Sequence, residues 1–134
     1  MVIRLAGCVL LDEKNRIGLL HRNKKGIVHW ELPGGKIEPD EKPEEAAIRE
    51  IKEELNVDVT IERKVGGDKF TRSDKQDFDY EWFLAYVVSG QPEVNEPDTF
   101  DDFKYFELNV LGLLKLSDNM QNLFKQLSSG QVKL

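Results

Sequence analysis

Hydrophobic and polar positions alternate in short runs along this chain, interrupted by a stretch of helical period before residue 56 and another near the end. Residues 2–11 are apolar apart from Arg4, which predicts a strand buried on both faces. Polar residues 12–15 predict a hairpin turn, with residues 16–22 as the partner strand. Residues 58–65 begin another strand, and residues 78–88 alternate, placing Phe78, Tyr80, Trp82, Leu84, Tyr86 and Val88 on one face. Between these two strands, Gly66, Gly67 and polar residues 72–77 predict a mobile loop. Residues 89–98, with Gly90, Pro92 and Pro97, predict a second loop, and residues 104–108 a short closing strand. Ser117 or Asp118 caps a final helix in which Met120, Leu123, Phe124 and Leu127 recur at helical spacing.

The first helix carries the chemistry. Pro43 suits its first turn, where a missing N–H is harmless, and Glu44 and Glu45 favour the positive end of the helix dipole. Lys42 is a poor N-cap, so Asp40 or Glu41 is expected to reach back to the free amides. Advancing about 100° per residue puts Glu50, Glu53 and Glu54 on one arc, with Ala47, Ile48, Ile51 and Leu55 opposite. Carboxylates at this spacing repel, and a hard divalent cation relieves that best. On the acids alone, the run still reads first as a solvated helix face carrying i to i+4 ion pairs.

Strands interrupted by one helix and closed by another predict an α+β layered domain, and 134 residues are enough for a single domain over residues 1–134 with its own core. The net charge of −6, with no Lys/Arg cluster, argues against a nucleic-acid partner. Lys24, Lys25 and Lys36 read as solvated loop residues. No run resembles a signal peptide, and no apolar span reaches the roughly 20 residues that cross a bilayer. A membrane partner is therefore not expected. Cys8 stands alone, which excludes an internal disulfide and fits a cytoplasmic location. His21 and His29 have no zinc-ligand spacing with it.

The neighbours of the acids decide their reading. Gly35, Glu41, Arg49, Glu50, Ile51, Glu53, Glu54 and Val57 stand in the register G-x5-E-x7-R-E-U-x-E-E-x-G-U, where U is a bulky aliphatic residue. This resembles the signature of the Nudix hydrolases. Asn56 replaces the usual glycine, a mild change at a helix end, since asparagine is the second choice for a left-handed cap. The lead-in from Trp30 through Glu31, Leu32, Pro33 and Gly34 to Gly35 resembles the family too, as does the strand ending Leu19, Leu20, His21, Arg22. The likeness extends over residues 2–108 in layout, with its specific motifs within residues 30–57.

The resemblance implies the Nudix fold, a mixed β-sheet sandwiched between α-helices, and a small-molecule nucleotide substrate. It implies hydrolysis of a nucleoside diphosphate linked to another group, with Mg2+ as cofactor and Mn2+ as a substitute. Glu50 and Glu54 would be direct metal ligands, Glu53 a ligand or water-orienting base, and the Gly34 carbonyl a further ligand. Glu41 and Arg49 would fix the loop and the helix, Gly35 would admit phosphates closely, and Arg22 would bind them. Members of the family also take the base from a loop, where Glu96 is the first candidate and Asp77 and Asp98 compete; Glu96 equally reads as an exposed turn residue. Phe70, Tyr80, Trp82 and Phe103 are candidates to stack on a base, or plain core. Thr71 and Arg72 stand where the ADP-ribose-hydrolysing group carries proline, and the compact layout looks more like the MutT-type nucleoside triphosphate group. A nucleoside diphosphate sugar hydrolase, a non-catalytic nucleotide sensor and a structural protein with an acidic helix stay as alternatives. A homodimer is the ordinary assembly for such a domain.

Overall fold

The computed structural model describes residues 1–134. Seven strands form two sheets: β1 (Val2–Leu10), β4 (Gly34–Lys36), β5 (Asp58–Thr71) and β6 (Asp77–Ser89) in the order β4-β1-β6-β5, and β2 (Ile17–Lys24), β3 (Ile27–Glu31) and β7 (Phe100–Phe106) in the order β3-β2-β7. Strands β1 and β6 run parallel, and the remaining pairs are antiparallel, so the first sheet is mixed. Helix α1 (Pro43–Leu55) and helix α2 (Asp118–Ser129) complete the fold, the latter preceded by a 3₁₀ turn at Leu108–Leu113.

Strand β1 is buried on both faces, as its apolar run predicts. Ala6, Cys8 and Leu10 join Phe83, Ala85 and the α1 residues Ala47, Ile51 and Leu55 in one core cluster. Val9 joins Trp82, Leu84 and the α2 residues Met120 and Leu123 in the other. The mixed sheet therefore lies between two helices, as the expected α+β fold requires. Both faces of β6 are buried for the same reason, not only the face that alternation picked out: Trp82 and Leu84 serve one core, Phe83 and Ala85 the other.

Three sequence expectations need correction. The turn after β1 forms as predicted, with Asp12 Oδ1 accepting from Lys14 N at 3.0 Å and Arg16 N at 2.8 Å, and Asn15 at φ 59°. Yet β1 and β2 are not a paired hairpin. They share one bridge, Leu11 to Ile17, and then part, because both edges of β1 are taken by β4 and β6. Strand β2 therefore starts the second sheet between β3 and β7.

The mobile loop predicted around Gly66 and Gly67 is strand. Gly66 pairs with Trp82 and Gly67 with Glu81, next to register shifts between Ile61 and Arg63 and between Lys64 and Gly66. Glycine here answers a close approach of backbones: a Cβ on Gly67 would stand 2.7 Å from the Tyr80 carbonyl oxygen. Only the tight turn at residues 72–76 remains outside the ladder, closed by Arg72 N donating to Gln76 O at 2.8 Å. The closing strand is likewise longer than predicted, since β7 begins at Phe100. That residue is buried in the α1-side core, a long-range contact that local alternation does not encode.

Helix α2 keeps its predicted cap, Ser117, whose Oγ accepts from Met120 N at 3.2 Å. No helix is long and apolar enough to cross a membrane.

The bulged, glycine-bearing strand generates a test. Gly67→Ala should destabilise the protein by about 1–3 kcal/mol in chemical denaturation, the range of an overpacked site. An unchanged midpoint would mean that this segment is free to move, as a loop would be.

Candidate active site

Helix α1 sits differently from the simple wheel. Ala46, Ala47, Ile51, Glu54 and Leu55 are its buried residues, while Ile48 is 39% exposed. The acids are therefore not opposite the apolar arc; they overlap it, and Glu54 lies inside it at 4% exposure. The two alanines bring the helix backbone close to β1, where Cys8 Sγ lies 3.6 Å from the Ala47 carbonyl oxygen. Lys42 is indeed the N-cap, but neither Asp40 nor Glu41 reaches back to the helix amides. Glu45 instead accepts from Lys42 N at 2.8 Å, the return half of a capping box. At the other end Asn56 adopts φ 56° and ψ 39°, the left-handed cap expected of it.

Arg49 organises the exposed side of the acids. Its Nε and Nη2 donate to the two oxygens of Glu41 at 2.7 and 2.8 Å, a bidentate pair, and Nη2 also reaches the Lys36 carbonyl at 3.0 Å. Its Nη1 donates to Glu50 at 2.9 Å and to Glu53 at 3.4 Å. One guanidinium thus ties the end of β4 and Glu41 to the helix and bridges two acids. The hydrogen bonds from Arg49, with one from Glu38 N, bring the Glu41 carboxyl down to about 2. The same bond to Glu41, then that to Glu50, raises Arg49 itself.

The innermost acid, Glu54, is held by backbone. Gly34 N donates to Glu54 Oε1 at 2.8 Å, the one hydrogen bond that this carboxylate accepts. Burial pushes Glu54 well above the usual carboxyl range; the Gly34 bond opposes this, and the charges of Glu50, Glu31 and Glu96 add to it. Glu50 is raised as well, by burial first, against the pull of Arg49 and with the charges of Glu53 and Glu96 added. Gly35 makes room for Glu50: a Cβ there would stand 2.5 Å from its carboxyl carbon. At Gly34 a Cβ would run into the Ala6 carbonyl oxygen. Both glycines lie in the short strand β4 rather than in a turn: close approach to the Ala6 backbone requires glycine at 34, and glycine at 35 leaves the Glu50 carboxylate its place.

The side chains of Glu50 and Glu54 are 17% and 4% exposed by side chain and residue respectively, and that of Glu53 is 50% exposed beside Arg49. No three His, Cys, Asp or Glu side chains converge tightly enough to chelate an ion by themselves. The donor set nevertheless fits magnesium. It is all hard oxygen, its innermost member is a buried carboxylate with no cation bonded to it, and Mg2+ characteristically keeps several waters between itself and protein ligands.

Arg22 is raised above its ordinary value by its bond to Glu31, and the charge of Glu54 adds to this. Its Nε and Nη2 donate to Glu31 at 2.5 and 3.1 Å, and its guanidinium lies 4.9 Å over the Phe100 ring. His29 Nε2 meets the same Glu31 oxygen at 2.8 Å. Glu31 is the residue that sequence reasoning missed as a functional group. Its only signal was a charge inside an apolar strand, because its partner Arg22 is set by the β2–β3 register.

The loop from residue 89 packs on the C-terminus of α1, where Glu93 N donates to Leu55 O at 3.1 Å and Asn95 N to Glu54 O at 2.9 Å. This brings Glu96 within the electrostatic reach of Glu50 and Glu54. Asp77 is engaged elsewhere, accepting from Thr71 Oγ1 at 2.6 Å in the β5–β6 turn, and Asp98 is exposed. Trp82 is core, donating from Nε1 to Asn119 Oδ1 at 3.1 Å, and Phe103 packs edge-on to Tyr105. Phe70 and Phe78 stack on each other with centroids 5.0 Å apart. Tyr80 lies against Gly7, and burial, with the charges of Glu31 and Glu54 added, raises its hydroxyl.

Compared with known proteins, residues 1–127 match the NUDIX domain family. A Bacillus subtilis (strain 168) protein provisionally named an 8-oxo-dGTP diphosphatase is 34% identical over 91 residues, 68% of this chain and 58% of its own length. A Proteus vulgaris 8-oxo-dGTP diphosphatase is 40% identical over 60 residues, 43% of this chain and 54% of its own. The chain thus matches little more than half the length of either relative. The crystal structure of a MutT NUDIX hydrolase from Burkholderia pseudomallei superposes with a TM-score of 0.80 at 28% identity, covering 94% of this chain and 98% of that one.

The glycine pair of β4 generates the second test. Gly35→Ala should displace the Glu50 carboxylate and lower turnover at least about 10-fold, as expected when a positioned charged group is lost, while circular dichroism stays native. Full activity in a folded variant would show that Glu50 need not sit against this strand.

Proposed function

The chain belongs to the Nudix hydrolase family, and we propose that it hydrolyses a nucleoside diphosphate linked to another group X, giving a nucleoside monophosphate and phosphorylated X. The substrate we favour is a nucleoside triphosphate, cleaved by water to the monophosphate and pyrophosphate. The reading rests on one observation above the others: Glu54, on the same helix as Glu50, is a buried carboxylate held by the Gly34 amide, without a cationic side chain bonded to it. The two relatives named for 8-oxo-dGTP support the triphosphate over a nucleotide sugar.

In this reading Glu50, Glu53 and Glu54, with the Gly34 carbonyl, hold Mg2+, for which Mn2+ substitutes. The ion, when bound, supplies charge neutralisation on the diphosphate and a more acidic water. The remaining work belongs to the chain. Gly35 leaves the Glu50 carboxylate close against the backbone, since a side chain there would collide with it, and phosphate oxygens approach beside that pair. Arg22 binds phosphate with Nη1, the nitrogen outside its pair with Glu31. Arg49 and Glu41 keep Glu50 and Glu53 at fixed separation. Glu53, exposed at the helix edge, or Glu96, in the loop packed on the end of α1, accepts the proton of the attacking water. The buried lone thiol of Cys8 suits a reducing cytoplasm.

A panel of nucleoside triphosphates, dinucleotides and nucleotide sugars, with both products identified, tests the proposal. Glu50→Gln and Glu54→Gln should each lower kcat by at least about 10²-fold on whichever substrate is cleaved. Unchanged turnover in both variants would remove the acids from the site. A ligand held by the unmodified protein without turnover would make the domain a sensor.

A further inference from the structure

The last turn of α1 leaves its carbonyls without helical partners, at the negative end of the dipole and beside Glu53 and Glu54. The loop that follows β6 supplies those partners. Glu93 N donates to Leu55 O at 3.1 Å, and Asn56 Nδ2 returns a bond to Glu93 Oε1 at 3.2 Å. Asn95 contributes both of its donors: backbone N to Glu54 O at 2.9 Å and side-chain Nδ2 to Glu53 O at 3.0 Å. It is the one residue of the loop that bonds the backbones of two of the acids. The next residue is Glu96, whose carbonyl accepts from Thr99 N and Phe100 N, each at 3.0 Å, so the loop is fixed on its far side as well.

We propose that Asn95 is a positioning residue that sets the distance between the loop acid Glu96 and the helix acids Glu50 and Glu54. Its side-chain amide is committed to the Glu53 carbonyl. It acts through the backbone, by locking the loop to two successive carbonyls of the helix, and so holds Glu96 at the rim of the site. This goes beyond the proposed reaction but rests on it where turnover is concerned. The sequence hides the role, because an asparagine in a proline-bearing loop reads as a turn residue.

The experiment is a double-mutant cycle of Asn95→Ala and Glu96→Gln, with two readouts. One is Mn2+ binding without nucleotide, followed by the loss of the free-ion electron paramagnetic resonance signal; the other is kcat and KM on the best substrate of the panel. Asn95→Ala should weaken Mn2+ binding, because the negative charge of Glu96 that attracts the ion moves away, and lower kcat by about 10-fold, the lower end for groups that support a metal site indirectly, with KM unchanged. In the Glu96→Gln background the same substitution should have less than about 3-fold effect, because partners acting as one unit are not additive. Equal effects in both backgrounds, or a lowered melting temperature with Mn2+ affinity and kcat intact, would overturn the proposal. If no nucleotide is cleaved, the functional reading falls, while the Mn2+ cycle still decides the role of Asn95.

Discussion

Everything distinctive about this fold follows from placing Glu54 on the buried face of a helix. A carboxylate taken out of water loses several kcal/mol of solvation unless a partner restores it, and here the chain offers one backbone amide, that of Gly34. The carboxylates near it are Glu50, Glu31 and Glu96, and the guanidinium within its electrostatic reach, that of Arg22, is bonded to Glu31 instead. A sequence that only needed a helix at this position would put leucine there. The burial of Ala46 and Ala47 and the missing side chain at Gly35 let the carboxylates lie close to β4, Glu54 on the Gly34 amide and Glu50 against Gly35.

The cationic side chains stay outside. Arg49 is committed to Glu41, Glu50 and Glu53, and Arg22 to Glu31. Each arginine therefore props an acid or a turn and leaves Glu54 uncompensated. This division explains how a chain can crowd acids without collapsing their geometry: the outer ones are bonded to guanidinium, while the inner one has the Gly34 amide alone. The mixed sheet provides the rigid base, since β1 carries the glycine pair of β4 on one edge and is locked to β6 along the other.

The signature residues were legible because they are local. Gly35, Glu41, Arg49 and the three helix acids lie within one short strand, the turn after it and one helix, so spacing alone brings them together. What escaped was set by pairing across the chain. Glu31 became a partner of Arg22 through the β2–β3 register, and the loop holding Glu96 found its place through carbonyls of a helix forty residues earlier. Gly66 and Gly67 misled in the same way: glycine signals backbone freedom locally, yet here it marks the close approach of β5 to β6. The wheel placed the acids opposite the core, but two small alanines turned the helix so that Glu54 entered it.

The central claim is that the buried charge of Glu54 is balanced by a divalent cation. Thermal melting of the unmodified protein and of Glu54→Gln, each with and without excess Mg2+, tests it most directly. Binding to the native state alone stabilises by about 2.7 kcal/mol at a hundredfold excess over Kd, a shift of several degrees for a chain of this size. The account predicts that shift in the unmodified protein, little or none in Glu54→Gln, and a higher metal-free melting temperature for the variant. An equal Mg2+ shift in both proteins, or a metal-free variant less stable than the original, would contradict it.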